Sequence, residues 1–511
     1  MMWCRDLIVW TWLGGLLFGT SALLIPHGRS IARRHAQPAL EALHTRPLPH
    51  SHSTRNLTSP PYNITLPSNS TGPSNFTGPF NSTSSLNSTK TTSSIPSIFR
   101  GVNIGGWLVL EQWMNGDLFT NFPNAHDQHS FDQQPGAAAA LSNHWSTFFT
   151  EADVQNLTTV GINTLRIPIG YWAFDNANSS YISGAAAYLD RAIAWSRAAG
   201  IKVWVDLHGA PGSQNGFDNS GEAGAVDWQK DNNIERTISV LTTMARKYGA
   251  REYADTVVAL ELVNEPISWG DNDFGTTQQF ARDAYAAVRA AATNPDLLIV
   301  MHDAFQGPEA WVSVAQDLSA GKNFAVDTHL YQNQVAEDNT LTLAQHVSKA
   351  CGWSTTSLSP SSPLPIIVGE FSASMNICVL PDGTSFAGTS CSQDGCQCQS
   401  ADPADWNQPL IDATRMFVEA QLDVFEARTR GWFLWSWKGP GAWGFLNGVQ
   451  GGWFPDRLGQ RKFPHVCDGT DLGNGTGTVN GKGNVTRRGV GRAAPGAAAE
   501  YLAKRAILAL S

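Results

Sequence analysis

Between residues 98 and 468 the chain alternates short apolar runs with longer amphipathic stretches. The short runs are rich in Val, Ile and Leu, which is typical of buried strands. They fall near 100–104, 164–169, 202–207, 257–263, 297–301, 324–329, 366–370 and 432–437. Apolar residues at helical spacing lie between them, as in Asn233–Tyr248, Gln278–Ala292 and Gln408–Ala427. Eight such strand–helix units predict an α/β fold, a (β/α)8 TIM barrel with long active-site loops.

An open, doubly wound sheet is the alternative for alternating strands and helices. It is disfavoured because no Gly-rich phosphate-binding turn follows the first strand. In a barrel the C-terminal ends of all strands meet at one face, where active sites lie. Polar residues at those ends are therefore the candidates for chemistry.

Residues 1–26 include a nearly unbroken apolar run over 7–26. We interpret the segment as a signal peptide with a cleavage site at Thr20-Ser21-Ala22. The alternative is an uncleaved anchor, since about twenty apolar residues can span a bilayer. The protein is then either secreted to the extracellular space or cell wall, or tethered to the plasma membrane by 7–26.

Residues 27–97 are rich in Ser, Thr, Asn and Pro, a composition that cannot bury a core. We predict a disordered, glycosylated linker that holds the barrel domain, residues 98–468, away from a wall or membrane. Residues 469–511 form a Gly/Ala-rich C-terminal tail. Glycosylation sequons occur at Asn56, Asn63, Asn69, Asn75, Asn81, Asn87, Asn156, Asn178, Asn474 and Asn484.

The composition narrows the class of partner. The 511-residue chain is 42% hydrophobic and 15% charged, with 19 Trp and 23 Phe. This suits a large core and aromatic surfaces that bind sugars. The net charge of −9 argues against a nucleic-acid partner, because no basic excess is available to neutralise phosphates. We expect a monomer that acts on a neutral polymer or a small molecule.

Six cysteines follow the leader, at positions 351, 378, 391, 396, 398 and 467. An even number in an exported protein predicts up to three disulfides, with fifteen connectivities open. Cys396-Gln397-Cys398 resembles a fragment of a metal or redox motif. Neither a CxxC partner nor a His pair accompanies it, so disulfides are the stronger interpretation.

Two of the predicted strands end on a carboxylate. Glu265 closes the fourth strand within Asn264-Glu265-Pro266, and Glu370 closes the seventh within Gly369-Glu370-Phe371. Two carboxylates brought to one face are the minimum equipment for cleaving a glycosidic bond. We predict that Glu265 is the general acid/base and Glu370 the nucleophile. A stabilising pair with an Arg is the alternative for Glu265.

Other strand ends carry groups suited to sugar binding. Arg166 is a candidate partner that keeps Glu370 ionised, a role compatible with a structural salt bridge. His208, His329 and Tyr331 close the third and sixth strands. Metal ligation by the two histidines is the alternative. Hydrogen bonding to sugar and carboxylates is favoured because no ligand cluster surrounds them.

Five further residues have weaker signals. Asn264 is predicted to bind the hydroxyl next to the anomeric carbon. Trp435 and Trp437 alternate along the last predicted strand, so their side chains point to one side. Trp435 is the candidate platform for a sugar ring, and packing in the core is the alternative for both residues. Glu111 either binds hydroxyls of the terminal sugar or is a solvated loop carboxylate. His302 is predicted to be structural or to support the site from behind.

Several motifs occur in an order similar to that of a known enzyme family. They are Arg100–Trp107, Arg166–Trp172, Asp206–Gly221, Asn264-Glu265-Pro266, Gly369-Glu370-Phe371 and Trp435-Ser436-Trp437-Lys438. With them, residues 98–468 resemble the fungal exo-β-1,3-glucanases of glycoside hydrolase family 5. Asn-Glu-Pro alone would indicate only the wider clan of such barrels, and the long stretch after His208 narrows the resemblance to this subfamily.

The resemblance implies a retaining double displacement with Glu265 as acid/base and Glu370 as nucleophile. Asp218 and Asn219 would help to close the pocket, and Phe217 would form half of an aromatic clamp at its mouth. The implied subsite for the non-reducing-end glucose is lined by Glu111, Arg166, His208, Asn264, His329, Tyr331 and Trp435. Neither a cofactor nor a metal is implied, because two carboxylates suffice.

The resemblance also implies one disulfide, between Cys351 and Cys467. One departure concerns the mouth of the pocket. The family usually has a second clamp Phe just after its His-x-Tyr motif, where this chain has Gln332-Asn333-Gln334-Val335, with Gln334 as the nearest counterpart. An acceptor sugar would be held less firmly without that ring, which bears on chain preference and transglycosylation.

The sequence therefore predicts a retaining glycoside hydrolase that releases glucose from the non-reducing ends of β-1,3-glucan in fungal cell-wall metabolism, with wall β-glucan as its partner. A glucanosyltransferase or a β-1,6-glucanase on the same barrel is one alternative. A non-catalytic wall-binding glycoprotein is another. The presence of both carboxylates opposes the last, since a binding protein has no need of the pair.

Overall fold

The computed structural model describes residues 95–468, except 177–178, 319–322 and 362. Its strands are β1 Phe99–Asn103, β2 Thr164–Gly170, β3 Lys202–Gly209, β4 Val257–Glu261, β5 Leu298–His302, β6 Phe324–Leu330, β7 Ile366–Phe371, β8 Ile377–Val379, β9 Ser385–Ala387, β10 Gln397–Cys398 and β11 Gly431–Leu434. Strands β1 to β7 and β11 are parallel neighbours and close into a barrel, because β11 pairs with both β7 and β1. The predicted (β/α)8 barrel is confirmed, and the open sheet is excluded.

Helices surround the barrel and supply the apolar layer against its outer face. They are α1 Gly116–Phe119, α2 Gln128–Asp132, α3 Ala137–Thr147, α4 Glu151–Val160, α5 Ala185–Ala199, α6 Asn233–Tyr248, α7 Phe274–Ala291, α8 Val312–Leu318, α9 Leu343–Gly352, α10 Gln408–Arg428 and α11 Phe445–Gly451. In α6, Val240, Leu241 and Met244 are buried at helical spacing, as its pattern predicts. Because helices cover the outside of every parallel strand, the strands read as continuous apolar runs.

The inside of the barrel is divided into an apolar and a polar layer. The apolar layer contains Phe99, Trp204, Val258, Ala259, Leu298, Val300, Ala325, Ile367 and Phe433. It is closely packed, since a Cβ on Gly101 would lie 2.0 Å from the Phe433 ring. Side chains two positions apart on a strand share a face, so residues two positions further along point inward as well. Those positions include Asp206, Glu261 and Asp327, which are fully buried and form the floor of the site.

A small antiparallel sheet of β8, β9 and β10 lies in the loop after β7. Cys378 of β8 and Cys398 of β10 are opposite each other and form a disulfide. Cys391 and Cys396 form a second one in the turn before β10. Both stabilise a segment that is too short to hold its own core. The interpretation of the CxC sequence as disulfide chemistry is confirmed.

The third disulfide joins Cys351 in α9 to Cys467 near the end of the described chain, which confirms the expected pairing. The last barrel strand is shorter than predicted. Because β11 ends at Leu434, Trp435 and Trp437 lie beyond it, and their expected alternation along a strand is wrong. Trp437 packs in the core against aromatic neighbours, 6.2 Å from Phe149 between ring centroids.

The predicted leader and C-terminal tail lie outside the described residues, and so does the predicted linker up to residue 94. All the sequons except Asn156 lie outside them as well. That asparagine is exposed on α4. Within residues 95–468, as far as they are described, no helix is long and apolar enough to span a bilayer.

Candidate active site

Glu265 lies in the loop after β4, with an unusual backbone conformation. Its φ of 43° is positive, which is uncommon for a residue other than glycine and is concentrated at functional sites. The carboxyl group is fully buried and held on both sides. Oε1 lies 2.8 Å from Nδ1 of His329, and Oε2 accepts a 2.9 Å hydrogen bond from Asn219. Asn215 donates to the backbone carbonyl of Glu265 at 3.2 Å, so the surrounding loops fix both its backbone and its side chain.

Glu370 lies near the end of β7 with 2% of its surface exposed. Oε1 accepts a 3.1 Å hydrogen bond from Nη1 of Arg166, and Oε2 accepts a 2.6 Å hydrogen bond from the hydroxyl of Tyr331. Both contacts suit a carboxylate that accepts hydrogen bonds, which is the state that a nucleophile requires. Arg166 therefore lies at Glu370 as predicted, and Tyr331, predicted to line the sugar subsite, contacts Glu370 as well.

His329 brings the two glutamates together. Its Nδ1 atom lies 2.8 Å from Oε1 of Glu265 and 3.4 Å from Oε2 of Glu370. These two oxygens are therefore at most about 6 Å apart, the sum of the two distances. Retaining glycosidases hold their carboxyl groups roughly 5–5.5 Å apart, and inverting ones roughly 6.5–9.5 Å. The upper limit here is compatible with the first class and lies below the second.

The surroundings of His329 favour the charged form of its imidazole. Burial by itself lowers its pKa, but the negative charges of Glu370 and Asp327 and hydrogen bonds to Asp327 and Glu265 raise the pKa well above its ordinary value. Nε2 lies 3.2 Å from Oδ2 of Asp327. Both ring nitrogens therefore carry protons that point at carboxylates, and the ring is a fixed donor to the site.

Arg166 is the centre of the polar layer, and its side chain is fully buried. Its N–H groups face five oxygen atoms, those of Glu261 at 2.9 Å, Asp206 at 3.1 Å, Asn264 at 2.8 Å, Asn103 at 3.0 Å and Glu370 at 3.1 Å. A guanidinium has five N–H donors in a rigid plane, so every donor is occupied. The same contacts therefore make Arg166 both a structural salt-bridge residue and the partner of Glu370.

His208 and Asn264 present donors toward the site. Nδ1 of His208 lies 2.7 Å from Oδ2 of Asp206, while Nε2 of His208 and Nδ2 of Asn264 have no hydrogen-bond partner in the described part of the chain. The ring of His208 is parallel to that of Trp435, with 5.5 Å between centroids. A Cβ on Gly105 would lie 2.6 Å from the Trp435 indole, so the glycine makes room for that ring.

Glu111 lies at the rim in a row of aromatic rings. Only 3% of it is exposed, which excludes a solvated loop carboxylate. Oε2 accepts a 2.9 Å hydrogen bond from Nε1 of Trp113, which is 40% exposed. Ring centroids of Trp113 and Trp443 are 5.2 Å apart, as are those of Trp443 and Tyr331. The row leads from the surface to the tyrosine that contacts the predicted nucleophile.

The segment after β3 supplies the remaining predicted residues. Asn219 and the half-buried Asp218 belong to one short 3₁₀ turn, and Asn219 contacts Glu265 directly. Phe217 belongs to an apolar cluster with Ile267 and the partly buried Val226, Trp269 and Phe305. Gln334 is half-buried in the loop after β6. Aromatic neighbours of Phe217 therefore come from the loops after β4 and β5.

His302 lies behind His329, with 4.3 Å between the ring centroids, in keeping with its predicted supporting position. Donor atoms of Glu265, His302 and His329 lie within 4.8 Å of one another, a geometry that a metal ion could use. However, a histidine ligand needs a free lone pair, and both nitrogens of His329 face carboxylate oxygens. The contacts favour hydrogen bonding over metal ligation. The cysteines that lie close together, Cys378, Cys391 and Cys398, are all disulfide-bonded.

Sequence reasoning assigned no role in the site to several residues that contact it, among them Asn103, Asp206, Asn215, Glu261 and Asp327. Asn103 donates to the Gly369 carbonyl at 2.8 Å and accepts from Arg166. Asn215 donates to the backbone carbonyl of Glu265, and Glu261 accepts from Arg166. Asp327 accepts a 2.6 Å hydrogen bond from the Gly369 amide. The signal for Glu261 was available, because a carboxylate inside the apolar run Val257–Val263 faces the same side as the buried Ala259.

Comparison with families and solved structures shows the family and the fold of this chain. Residues 129–441 match the family model described as Cellulase (glycosyl hydrolase family 5). The structure of a rutinosidase from Aspergillus niger aligns with a TM-score of 0.57 at 20% identity, over 70% of this chain and 98% of that one. At that identity the alignment speaks for the shared fold alone.

Curated relatives are more similar in sequence. A glucan 1,3-beta-glucosidase of Blumeria graminis is 38% identical over 389 residues, 72% of this chain and 89% of the relative. Glucan 1,3-beta-glucosidase 1 of Schizosaccharomyces pombe is 37% identical over 72% of this chain and 90% of its own length. Glucan 1,3-beta-glucosidase I/II of Saccharomyces cerevisiae is 37% identical over 73% and 88%.

Proposed function

Because the chain belongs to glycosyl hydrolase family 5, we propose that it is a retaining glycosidase that releases glucose from the non-reducing ends of β-1,3-glucan. The observation that carries the proposal is the contact of one imidazole with both Glu265 and Glu370. The relatives named as glucan 1,3-beta-glucosidases supply the substrate class.

The first step is attack of Glu370 on the anomeric carbon, which breaks the glycosidic bond and forms a glucosyl ester. Glu265 gives its proton to the departing oxygen. The carboxylate that remains on Glu265 receives the N–H of His329 and the amide of Asn219, both already in place. Such preorganised donors stabilise the charge that develops in the transition state.

The second step reverses the roles. Glu265 takes a proton from water, and the water oxygen attacks the anomeric carbon from the face that the leaving sugar occupied. Glu370 departs as a carboxylate, stabilised by Arg166 and Tyr331. Two inversions at one carbon give net retention, so the first product is β-glucose.

Glucose release from laminarin tests the proposal. The wild type and an E151Q control, changed at an exposed residue of α4, should be equally active, and E370Q should be inactive. Proton NMR of the earliest product should show β-glucose. An α product, or full activity of E370Q, would contradict the mechanism.

The acceptor side decides between hydrolysis and transfer. Gln334, the nearest counterpart of the second clamp Phe, follows Tyr331 by three positions, and Phe217 belongs to a cluster with Trp269 and Phe305. This arrangement keeps a glucanosyltransferase or β-1,6-glucanase as the second candidate. Product profiles on β-1,3, β-1,6 and mixed glucans separate them, since transfer yields products longer than the substrate.

We further propose export through a signal peptide at 1–26, with membrane anchoring by 7–26 as the alternative, and a glycosylated linker at 27–97. Three disulfides among the described residues support an oxidising compartment. Exposure of Asn156 supports glycosylation there. N-terminal sequencing and glycosidase digestion of the mature protein test these points.

A further inference from the structure

Glu261 and Asp206 are adjacent carboxyl groups inside the barrel to which the proposed mechanism gives no task. They are register partners on the neighbouring strands β3 and β4, and both side chains are fully buried. Burial of two like charges side by side is costly unless a proton or a cation compensates them. Their presence beneath the reacting groups therefore requires an explanation.

A proton shared between the two groups provides one. Oδ1 of Asp206 and Oε1 of Glu261 receive no hydrogen bond from a donor among the described residues, while the two carboxyl groups lie within hydrogen-bonding range of each other. A proton on Glu261 that Asp206 accepts would satisfy both. The pKa of Glu261 is raised and that of Asp206 is lowered, which agrees with a proton on Glu261.

For Glu261, burial and then the charges of Asp206 and Asp327 raise the pKa well above its usual range, although Arg166 and His329 oppose the shift. For Asp206, burial alone would raise the pKa, but Arg166 and His208 bring it below its ordinary value. The proton therefore belongs on Glu261, and the negative charge on Asp206.

The protonation state of Glu261 affects the nucleophile Glu370 through Arg166. Nε and Nη2 of the guanidinium lie 2.9 and 2.8 Å from the same oxygen of Glu261, on the side opposite to Nη1, which donates to Glu370. A second full negative charge at Glu261 would compete with Glu370 for the guanidinium. A neutral acid there fixes the plane of Arg166 without such competition.

We infer that Glu261 is a positioning residue, a neutral carboxylic acid that shares its proton with Asp206 and holds Arg166 against Glu370 and Asn264. The charged and titratable groups that face it lie on three neighbouring or facing strands: Arg166 on β2, Asp206 on β3, and Asp327 and His329 on β6. Around these, His208 on β3 faces Asp206, and Glu370 on β7 faces Arg166.

The kinetic test compares E261Q with E261M and rests on the proposed function for its readout. Glutamine keeps an oxygen for Arg166 and an N–H for Asp206, so E261Q should retain kcat within about threefold of wild type. Methionine keeps the volume and loses both contacts, so kcat should fall about 100-fold through misplacement of Arg166 and Glu370, while KM changes much less. The matched control is E426M. Glu426 forms a 2.8 Å ion pair with Arg100 near the start of β1, at the end of the barrel away from the site, so its loss should leave kcat unchanged.

An infrared measurement gives an independent readout, valid even if E261M fails to fold or the wild type acts on another glucan. The wild type at neutral pH should show a protonated carboxylic-acid C=O band that is absent from E261Q. Three results would overturn the inference. They are identical carboxylic-acid bands in both proteins, a loss of kcat in folded E261Q as large as in E261M, and wild-type kcat in E261M.

Discussion

Nδ1 of His329 lies 2.8 Å from Oε1 of Glu265, so a charged imidazole ring directly contacts the predicted acid/base. The other carboxyl oxygen, Oε2, accepts a 2.9 Å hydrogen bond from Asn219, so each oxygen of Glu265 faces one fixed donor.

The variant E265Q should separate protonation of the leaving group from attack by the nucleophile. Laminarin hydrolysis should fall about 10²–10⁴-fold, because glutamine cannot donate a proton to the departing sugar. Cleavage of 2,4-dinitrophenyl β-glucoside, whose leaving group needs no proton, should fall much less in pre-steady-state measurements. Equal losses on both substrates would argue against Glu265 as the acid, and E370Q should lose both activities.

The variant Y331F should weaken catalysis without unfolding the barrel. It removes the 2.6 Å hydrogen bond from the Tyr331 hydroxyl to Glu370. Hydrogen bonds to charged groups contribute about 1.5–3 kcal/mol, so kcat/KM should fall about 10- to 100-fold. Y188F is the matched control, because the Tyr188 hydroxyl donates a 3.4 Å bond to Ser142 on the surface. Unchanged kinetics of Y331F would remove the tyrosine from the site.

Loss of the two larger disulfide loops should destabilise the protein to different degrees. Cys351 and Cys467 are 116 positions apart, and Cys378 and Cys398 are 20 apart. Loop entropy predicts losses of about 5 and about 3 kcal/mol when each pair is replaced by serine. Urea unfolding of the two double variants measures the difference, and a larger loss for the shorter loop would show that packing of the small sheet dominates.

The carboxyl of Asp132 should make stability fall as pH rises. Burial raises its pKa to about 7, although hydrogen bonds from Ile182 and Gln128 lower it. Between its ordinary value and about 7, the folded chain holds a proton that the unfolded chain has released. The free energy of unfolding therefore decreases with rising pH in this window, by up to about 1.4 kcal/mol per pH unit.

Comparison with D132N isolates that effect. The stability of the wild type relative to D132N should decline between about pH 5 and about pH 7 in urea titrations, since asparagine does not ionise. His144 and His346, whose pKa values burial lowers to about 4, act in the opposite direction but are common to both proteins. Parallel stability curves would contradict the prediction.

The positions of Glu265 and Glu370 could be predicted because they depend on local pattern and one rule of topology. Short apolar runs bounded by turns identify strands, and a parallel barrel brings the ends of all strands to one face. The two glutamates needed nothing more than that. Their helpers Arg166 and Tyr331 lie at strand ends for the same reason.

Contacts between loops could not be predicted in this way. The chain leaves the last strand at Leu434, and Trp437 lies in the core beyond it. The pairings of Cys378 with Cys398 and of Cys391 with Cys396 depend on a small sheet that the sequence pattern did not indicate. The neighbours of Phe217 come from loops that follow two other strands. Such contacts depend on loop paths, for which no periodicity exists.

Period-two alternation and strand order thus determined from the sequence which face each barrel residue occupies and which two carboxylates share a mouth. Only the tertiary structure decided the distances between those groups. It placed the His329 imidazole between the two glutamates, and it brought Glu261 next to Asp206 beneath Arg166. The physical reason is that strand periodicity is a local property of the backbone. The state of charge of a buried group, by contrast, depends on all the neighbours that the fold assembles around it.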